Sequence, residues 1–180
     1  DFVEESNLQR QTLFTEEDAR SVLPKAVAGQ RRVGHINSEV RVEALVADIE
    51  SKNIEGLVQG AACILDATDN FETRFLINDA AIKHGIPWVY GAAVGSYGVS
   101  MTVLPQDTPC LRCVFEKLPT PGSSPTCDTA GVLSPIVNVI ASVQVAEALK
   151  ILSGNIGRIN RRMLCFDVWE NSYRQIEIAN

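Results

Sequence analysis

The order of hydrophobic and polar residues in the first half of the chain predicts alternating strands and helices. Residues 39–46 alternate polar and apolar side chains, which is typical of a strand with one buried face. Residues 61–67 form a short apolar run that leads into a polar tip, the pattern of a central strand in a parallel sheet. Residues 25–34 and 53–60 indicate helices. This alternation predicts a doubly wound, mostly parallel α/β sheet.

A helix is predicted directly after the apolar run. Side chains that would share one face recur there at helical spacing, namely Phe71, Phe75, Asn78 and Ile82. Either Thr68 or Asp69 can cap the first turn, and Gly85 is a typical residue for the end of a helix. Residues 87–92 predict the strand that follows.

The second half of the chain follows a different pattern. A strand is predicted over residues 98–104, before a loop rich in Pro, Gly and Ser over residues 105–125. Loops of that length in compact domains are usually functional or mobile. Residues 135–152 form the longest helical stretch and are apolar around most of its circumference, which predicts a buried helix. Residues 162–168 and 172–178 predict a β-hairpin.

Composition narrows the class of protein. A chain of 180 residues with 46% hydrophobic and 21% charged residues predicts one domain spanning residues 1–180. The formal net charge of −6 argues against a nucleic-acid partner, because phosphate binding favours clustered Lys and Arg. Apolar runs such as residues 61–65 and 136–139 fall short of the roughly 20 residues that span a bilayer, so we expect no membrane partner and a cytoplasmic protein.

The termini and the cysteine count add two expectations. The chain opens at Asp1 without a methionine, in what looks like the end of a strand, so we expect a segment to precede it. Five cysteines is an odd number, and no signal peptide opens the chain, which argues against a secreted disulfide framework. The cysteines are then free, metal-bound or catalytic.

Polar residues near the start of the chain suggest phosphate chemistry. Ser6 and Asn7 are short hydrogen-bonding groups, and Arg10 and Lys25 are cations suited to neutralising phosphates. Asp69 follows the apolar strand, where ligands bind in open α/β sheets, and its carboxylate suits Mg²⁺. The alternative is that this polar turn is only solvated, with Arg10 in a surface salt bridge and Lys25 at an exposed helix start.

The order of the motifs resembles the ThiF/MoeB/HesA family over essentially the whole chain. A strand ending in Asp is followed by Ser-Asn-Leu-x-Arg-Gln, Lys, Thr-Asp-Asn, Cys-x-x-Cys and Thr-Cys-x-x-x-Gly-Val, in that order. These proteins are bacterial relatives of ubiquitin-activating enzymes. The resemblance implies a Rossmann-like fold with a C-terminal antiparallel hairpin, and a homodimer. It also implies ATP-dependent adenylation of the C-terminal carboxylate of a small ubiquitin-like or sulfur-carrier protein that ends in Gly-Gly.

The resemblance also implies roles for individual residues. The positions that match the ATP contacts of the family are Ser6, Asn7, Arg10, Lys25, Asp69 and Asn70, and Asp69 matches the carboxylate that organises Mg²⁺. Negative charge builds on the phosphate oxygens as a carboxylate attacks the α-phosphorus, so two cations and a metal suit the reaction. The family's N-terminal helix and Gly-x-Gly-Gly-x-Gly loop are missing from this sequence. We therefore expect an adenylation domain that is incomplete at both ends.

Two of the cysteines have the spacing of a structural zinc site. Cys110 and Cys113 form a Cys-x-x-Cys pair, but such a site needs four ligands. The resemblance implies a second pair shortly beyond Asn180, and the alternative is a reduced pair without metal. Four further residues are interpreted as core or surface residues without a ligand role, namely Cys63, Cys165, His35 and His84.

Cys127 lies between the long loop and the predicted buried helix. A thiol near a helix N-terminus ionises more readily, which would favour its attack on an acyl-adenylate. The resemblance matches Cys127 to a cysteine that forms a thioester or persulfide-type link with the carrier protein. The alternative is a structural or spectator thiol.

Three other functions remain to be compared with adenylation of a carrier protein. The chain could be a non-catalytic scaffold or carrier-binding module, because it lacks the phosphate loop. It could instead modify a tRNA base or a peptide. A nicotinamide dehydrogenase is the general α/β alternative, but no residue suggests hydride transfer, and a fold alone does not imply a function.

Overall fold

The residues that the computed structural model describes, 1–115 and 130–178, fall into two units, Asp1–Asp48 and Ile49–Asn180. The first unit contains a 3₁₀ turn and two helices: Glu5–Asn7, α1 (Glu16–Arg20) and α2 (Lys25–Ile36). Val3, Ala19 and Ala28 form its small buried core. Thr15 begins α1 with a capping box, in which its hydroxyl accepts from the Asp18 N–H and its own N–H donates to the Asp18 carboxylate.

The start of the chain runs antiparallel to the segment before α2. The Val3 N–H donates to the Leu23 carbonyl at 2.8 Å, and the Lys25 N–H donates to the Asp1 carbonyl at 2.9 Å. Phe2 forms an isolated bridge with Pro24 instead of joining a sheet. This pairing brings the first helical residue of α2 next to the first residue of the chain.

The predicted strand over residues 39–46 is wrong. The segment has no regular secondary structure, and its apolar side chains are exposed, with Val40 at 49% and Val46 at 59%. One hydrogen bond, from the Gln30 side-chain amide to the Val42 carbonyl, ties it to α2. Alternation of polar and apolar residues produces a strand only where a neighbouring strand pairs with it, and none does so here among the described residues.

The second unit is built around a five-stranded sheet of order β1-β2-β3-β4-β5. Its strands are β1 (Ile64–Leu65), β2 (Trp88–Val94), β3 (Tyr97–Val103), β4 (Met163–Asp167) and β5 (Ser172–Ile176). Its helices are α3 (Ile54–Val58), α4 (Phe71–His84), α5 (Leu111–Val114), α6 (Ser134–Leu152) and the 3₁₀ turn Ile156–Arg158. The β4–β5 hairpin confirms the prediction. Only β1 and β2 pair in parallel and the other three pairs are antiparallel, which corrects the expected mostly parallel sheet.

Helix α4 begins and ends close to where its sequence predicts. The cap is Asn70, whose side-chain oxygen accepts from the Thr73 N–H at 2.8 Å, and not Thr68 or Asp69. Gly85 ends the helix with φ 67°, a left-handed conformation that favours glycine. The position of this cap puts Asp69 one residue before it, in the segment that joins β1 to α4.

The core of the second unit lies between the sheet, α3, α4 and α5. Trp88 of β2, Val103 of β3 and Leu111 of α5 are each fully buried there, together with Phe75 and Ala81 of α4. Burial of this apolar surface is the main stabilising contribution to such a core. The core therefore fixes α4 and α5 against the strands.

Helix α6 packs on β2 and β3 with one face and exposes apolar side chains on another, so the prediction of a buried helix holds for one face only. Ile136 and Ile140 are buried, whereas Val145, Leu149 and Leu152 are 50–61% exposed. By length and composition alone, α6 is apolar enough to cross a membrane. A single helix of this kind is weak evidence, because the core helix of a folded domain has the same composition.

Candidate nucleotide and metal site

The predicted ATP contacts fall in both units. Four belong to Asp1–Asp48 and two to Ile49–Asn180, and the two groups are described separately. In the first unit, Ser6 and Asn7 lie in the 3₁₀ turn, and the Asn7 amide donates to the Ser6 hydroxyl at 3.2 Å. The Arg10 guanidinium donates to the Ser6 carbonyl at 3.2 Å. The turn thus brings three of the predicted residues together through direct contacts.

Two buried acceptors in and after this turn have no hydrogen-bond donor in the part of the chain that the structure describes. The side-chain oxygens of Asn7 and Gln11 are buried and accept no hydrogen bond from the described residues. A buried polar atom without a partner costs free energy, so such atoms usually mark a place where a ligand or water donates. A nucleotide offers donors in its ribose hydroxyls and adenine amino group, so these two oxygens fit one.

Lys25 is the first residue of α2, and its ammonium group lies 3.2 Å from the Asp1 carboxylate. The backbone pairing of Asp1 with Lys25 described above positions both side chains. The lysine is half-buried at this position. An incoming phosphate would compete with Asp1 for this cation.

In the second unit, the segment from Asp66 to Asn70 follows β1. Asp66 is 3% exposed, and one of its carboxylate oxygens accepts from the N–H and the hydroxyl of Thr68 at 2.8 and 2.7 Å. The other oxygen accepts from the Arg74 Nε at 3.1 Å. Both oxygens of Asp66 are therefore engaged within the protein, and this carboxylate is not available to a metal.

Asp69 presents an exposed carboxylate in the same segment. One oxygen accepts from the Asn70 side-chain amide at 3.3 Å, while the Asn70 oxygen caps α4. Mg²⁺ prefers oxygen ligands, commonly one or two carboxylates together with phosphates and water. Of the two aspartates, Asp69 is thus the one whose position fits the sequence-based assignment to Mg²⁺.

Two residues around this segment were missed by sequence reasoning. Arg74 of α4 is 7% exposed and Gln144 of α6 is 8% exposed, and both donate to backbone or side-chain oxygens near Asp66. A charged residue on the buried face of a predicted helix, and one polar residue within an apolar helix, were the available signals. Burial of such groups requires partners, which the sequence did not identify.

The Cys110–Cys113 pair has the geometry of half a zinc site. The two sulfurs lie 3.8 Å apart, and the Cys110 N–H donates to the Cys113 sulfur at 3.4 Å. Two thiolates about 2.3 Å from a tetrahedral zinc would also be about 3.8 Å apart, so the pair fits the metal. No cluster of three or more ligand side chains occurs within residues 1–115 and 130–178.

Helix α4 holds the cysteine pair in place. The Leu111 N–H donates to the fully buried side-chain oxygen of Asn78 at 2.9 Å. Arg112 forms two hydrogen bonds with the Asp79 carboxylate, at 2.7 and 2.5 Å, and this ion pair holds the pKa of Asp79 below its ordinary value. Side chains of α4 thus fix the backbone between the two cysteines.

The remaining cysteines divide into two groups. Cys165 is buried in β4, and burial raises the pKa of the half-buried Cys63 thiol, so both fit the predicted role of small core residues. Burial of the Tyr97 hydroxyl is the largest cause that raises the pKa of Tyr97 to about 12, and a hydrogen bond with Cys165 is the next. Cys127 lies outside the described residues.

The two histidines, His35 and His84, are exposed. The Nε2 atom of His84 lies 3.4 Å from a carboxylate oxygen of Glu55.

Comparison with known proteins identifies relatives over the whole chain. The model of the ThiF family matches residues 1–180. The chain is 49% identical over 180 residues to the sulfur carrier protein ThiS adenylyltransferase of Bacillus subtilis, covering 100% of this chain and 52% of that protein. It is 36% identical over 176 residues to the SAMP-activating enzyme E1 of Haloferax volcanii, covering 98% of this chain and 64% of the relative.

Solved structures support the fold. The structure of E. coli MccB with ATP has a TM-score of 0.81 and 21% sequence identity, and covers 100% of this chain and 55% of that one. At this identity the likeness concerns the fold, and it confirms the predicted Rossmann-like class. The chain spans about half the length of the Bacillus relative.

Proposed function

The chain belongs to the ThiF family, and on this premise we propose that the protein containing it is an ATP-dependent adenylyltransferase. Its substrate is the C-terminal carboxylate of a small ubiquitin-like or sulfur-carrier protein ending in Gly-Gly. The observation that carries the proposal is the 49% identity, over all 180 residues, to an adenylyltransferase of the sulfur carrier ThiS. Relatives that activate a carrier in an archaeon support the same class of substrate.

The proposed reaction transfers AMP to the carrier. An oxygen of the carrier's terminal carboxylate attacks the α-phosphorus of ATP, the bond from that phosphorus to the β-bridging oxygen breaks, and pyrophosphate leaves. Arg10 and Lys25 would neutralise the charge that builds on the phosphate oxygens. Asn7 would accept from the nucleotide, since its buried oxygen lacks a donor among the described residues. The Ser6 carbonyl accepts from Arg10 and so fixes that side chain, and the Asn70 side chain caps α4 next to Asp69.

Magnesium would be held by Asp69. When bound, the ion would supply positive charge that neutralises the leaving pyrophosphate. The contribution of this chain is to keep Asp69 exposed and Asp66 engaged, so that one carboxylate faces the ligand.

A structural zinc and a covalent step are further parts of the proposal. Cys110 and Cys113 would supply two of four zinc ligands, supported by their sulfur separation. Cys127 would take the acyl group from AMP, with its thiolate attacking the carbonyl carbon and AMP leaving. We also propose a homodimer, which sedimentation of the intact protein tests.

Pyrophosphate exchange into ATP tests the proposal. The intact protein should catalyse exchange with a carrier ending in Gly-Gly and not with the same carrier lacking those two glycines. Asp69→Asn should lower the exchange rate by about 10²-fold or more. Asp107→Asn is the matched control, because Asp107 pairs with Arg161 on the surface of the second unit. Exchange that depends on a peptide or a tRNA would identify a different substrate, and no exchange would favour a scaffold.

A further inference from the structure

Arg74 is a buried arginine whose guanidinium is directed at the segment after β1. Its Nε donates to the Asp66 carboxylate at 3.1 Å. One Nη donates to the Thr68 carbonyl at 2.5 Å and to the Gly91 carbonyl at 3.3 Å. The guanidinium carbon also lies 5.5 Å from the centre of the Tyr90 ring. One side chain of α4 thus contacts the segment twice and the neighbouring strand β2 twice, at the Gly91 carbonyl and at the Tyr90 ring.

Gln144 of α6 holds the same segment through its backbone. Its side-chain amide donates to the Asp66 carbonyl at 2.8 Å and to the Val89 carbonyl at 3.0 Å. Asp66 therefore receives hydrogen bonds from α4 at its carboxylate and from α6 at its backbone. Thr68 adds the two local bonds to the Asp66 carboxylate. Three side chains, those of Thr68, Arg74 and Gln144, thus hold the segment up to the residue before Asp69.

We propose that Arg74 is a positioning residue for adenylation, which holds Thr68 and Asp66 so that the Asp69 carboxylate is presented to magnesium. The inference rests on the proposed function. The Thr68 carbonyl that Arg74 binds belongs to the peptide bond joining Thr68 to Asp69. Loss of that contact would release the backbone immediately before the carboxylate, while the capped start of α4 would still hold the residue after it.

Arg74 also separates the roles of the two aspartates. Burial of a carboxylate is costly unless a cation and hydrogen bonds compensate for it. Arg74 supplies the cation, which keeps Asp66 inside the protein and leaves Asp69 as the exposed carboxylate. A lysine in this position would keep the charge but lacks the planar fork that reaches Asp66, Thr68 and Gly91 together.

The test compares three variants of the intact protein. Arg74→Lys removes the fork, Thr68→Val removes only the hydroxyl bond to Asp66, and Arg161→Lys is the control. Arg161 also pairs with an aspartate through two hydrogen bonds, but on the surface and away from this segment. Thermal unfolding and circular dichroism would first establish whether each variant folds.

Two measurements separate positioning from a merely structural role. The first is hydrogen exchange of the Thr68 amide without nucleotide or metal, which should be faster in Arg74→Lys than in the wild type. The second is the Mg²⁺ concentration that gives half-maximal pyrophosphate exchange. It should rise by about 10- to 100-fold, the usual effect of removing a residue behind a metal ligand. The KM for ATP at saturating Mg²⁺ should stay near the wild-type value.

The outcomes distinguish the two proposals. Thr68→Val should show a smaller rise of the same kind, and Arg161→Lys none. Unchanged Thr68 exchange or an unchanged Mg²⁺ requirement in a folded Arg74→Lys protein would overturn the inference. If Arg74→Lys does not fold, Thr68→Val decides by the same two measurements. If the wild-type protein shows no pyrophosphate exchange, the proposed function fails, and hydrogen exchange at Thr68 still decides whether Arg74 positions the segment.

Discussion

Replacing Gly91 with alanine should destabilise the protein, because Gln144 occupies the space of the new methyl group. A Cβ on Gly91 would lie 2.5 Å from the carbon and nitrogen of the Gln144 amide, closer than real Cβ atoms approach. The amide must move and give up its hydrogen bonds to Asp66 and Val89. Two such bonds are worth about 1–3 kcal/mol together. Alanine in place of a strand glycine stabilises the folded state by about 0.5–1 kcal/mol, whereas overpacking typically destabilises it by about 1–3 kcal/mol.

The net loss expected for Gly91→Ala is about 1–5 kcal/mol in the free energy of unfolding. For a chain of this size that corresponds to a Tm lower by about 2–20 °C, measured by calorimetry or circular dichroism. Gly157→Ala is the control, because a Cβ there meets no atom within 4 Å. Its Tm should stay close to that of the wild type.

A double-mutant cycle tests the cause. In a Gln144→Ala background the space beside Gly91 is empty, so the added methyl group should cost little or stabilise slightly. The two residues should therefore show a coupling of about 1 kcal/mol or more, as residues in direct contact do. If Gly91→Ala costs the same free energy in both backgrounds, its effect does not act through Gln144 and this reasoning is refuted.

Further predictions concern Arg10, the isolated 180-residue chain and Asp79. Arg10→Ala should lower pyrophosphate exchange by about 10²-fold or more, and an unchanged rate would refute its assignment to the phosphates. The 180-residue chain should contain well under one zinc per chain, because Cys110 and Cys113 supply only two of four ligands. It should bind Mg-ATP poorly, because it carries no glycine-rich loop. It should also self-associate, because β1 lies at a sheet edge. Metal analysis, titration calorimetry and sedimentation test these points, and a stoichiometric zinc or micromolar binding by a monomer would contradict them. Asp79→Asn should destabilise the protein by less than about 1 kcal/mol at pH 7 and not at low pH. Arg112 lowers the pKa of the folded carboxyl, so its contribution exists above the ordinary carboxyl pKa and is lost as the pH falls through the folded pKa, a trend that Tm against pH would reveal.

Sequence reasoning succeeded where a structural signal is local. Gly85 marked the end of α4, and the two strands of the C-terminal hairpin were predicted from their own sequence pattern and the turn between them. The polar tip after β1 singled out Asp69, whose role as a magnesium ligand stays a prediction. Each of these signals depends on residues within one turn or one strand of each other.

Sequence reasoning failed where partners are far apart along the chain. The alternation at residues 39–46 was genuine, but no strand pairs with it in the described part of the chain. Arg74 and Gln144 were visible as polar residues in apolar surroundings, yet Gln144 lies 78 positions from its acceptor Asp66. The sequence also did not reveal the direction in which neighbouring strands pair. A turn at Gly95 joins β2 directly to β3 without a crossover helix, so the two strands are antiparallel.

Mass spectrometry of the carrier protein tests the central claim most directly. The intact protein carrying Cys127→Ala, which removes the proposed acceptor thiol, would be incubated with Mg-ATP and a carrier ending in Gly-Gly, without any sulfur donor or added thiol. The account predicts a carrier heavier by one adenylyl group at its C-terminal glycine, with one pyrophosphate released for each carrier modified. An unmodified carrier beside an adenylylated peptide or tRNA, or no adenylylated product at all, would contradict it.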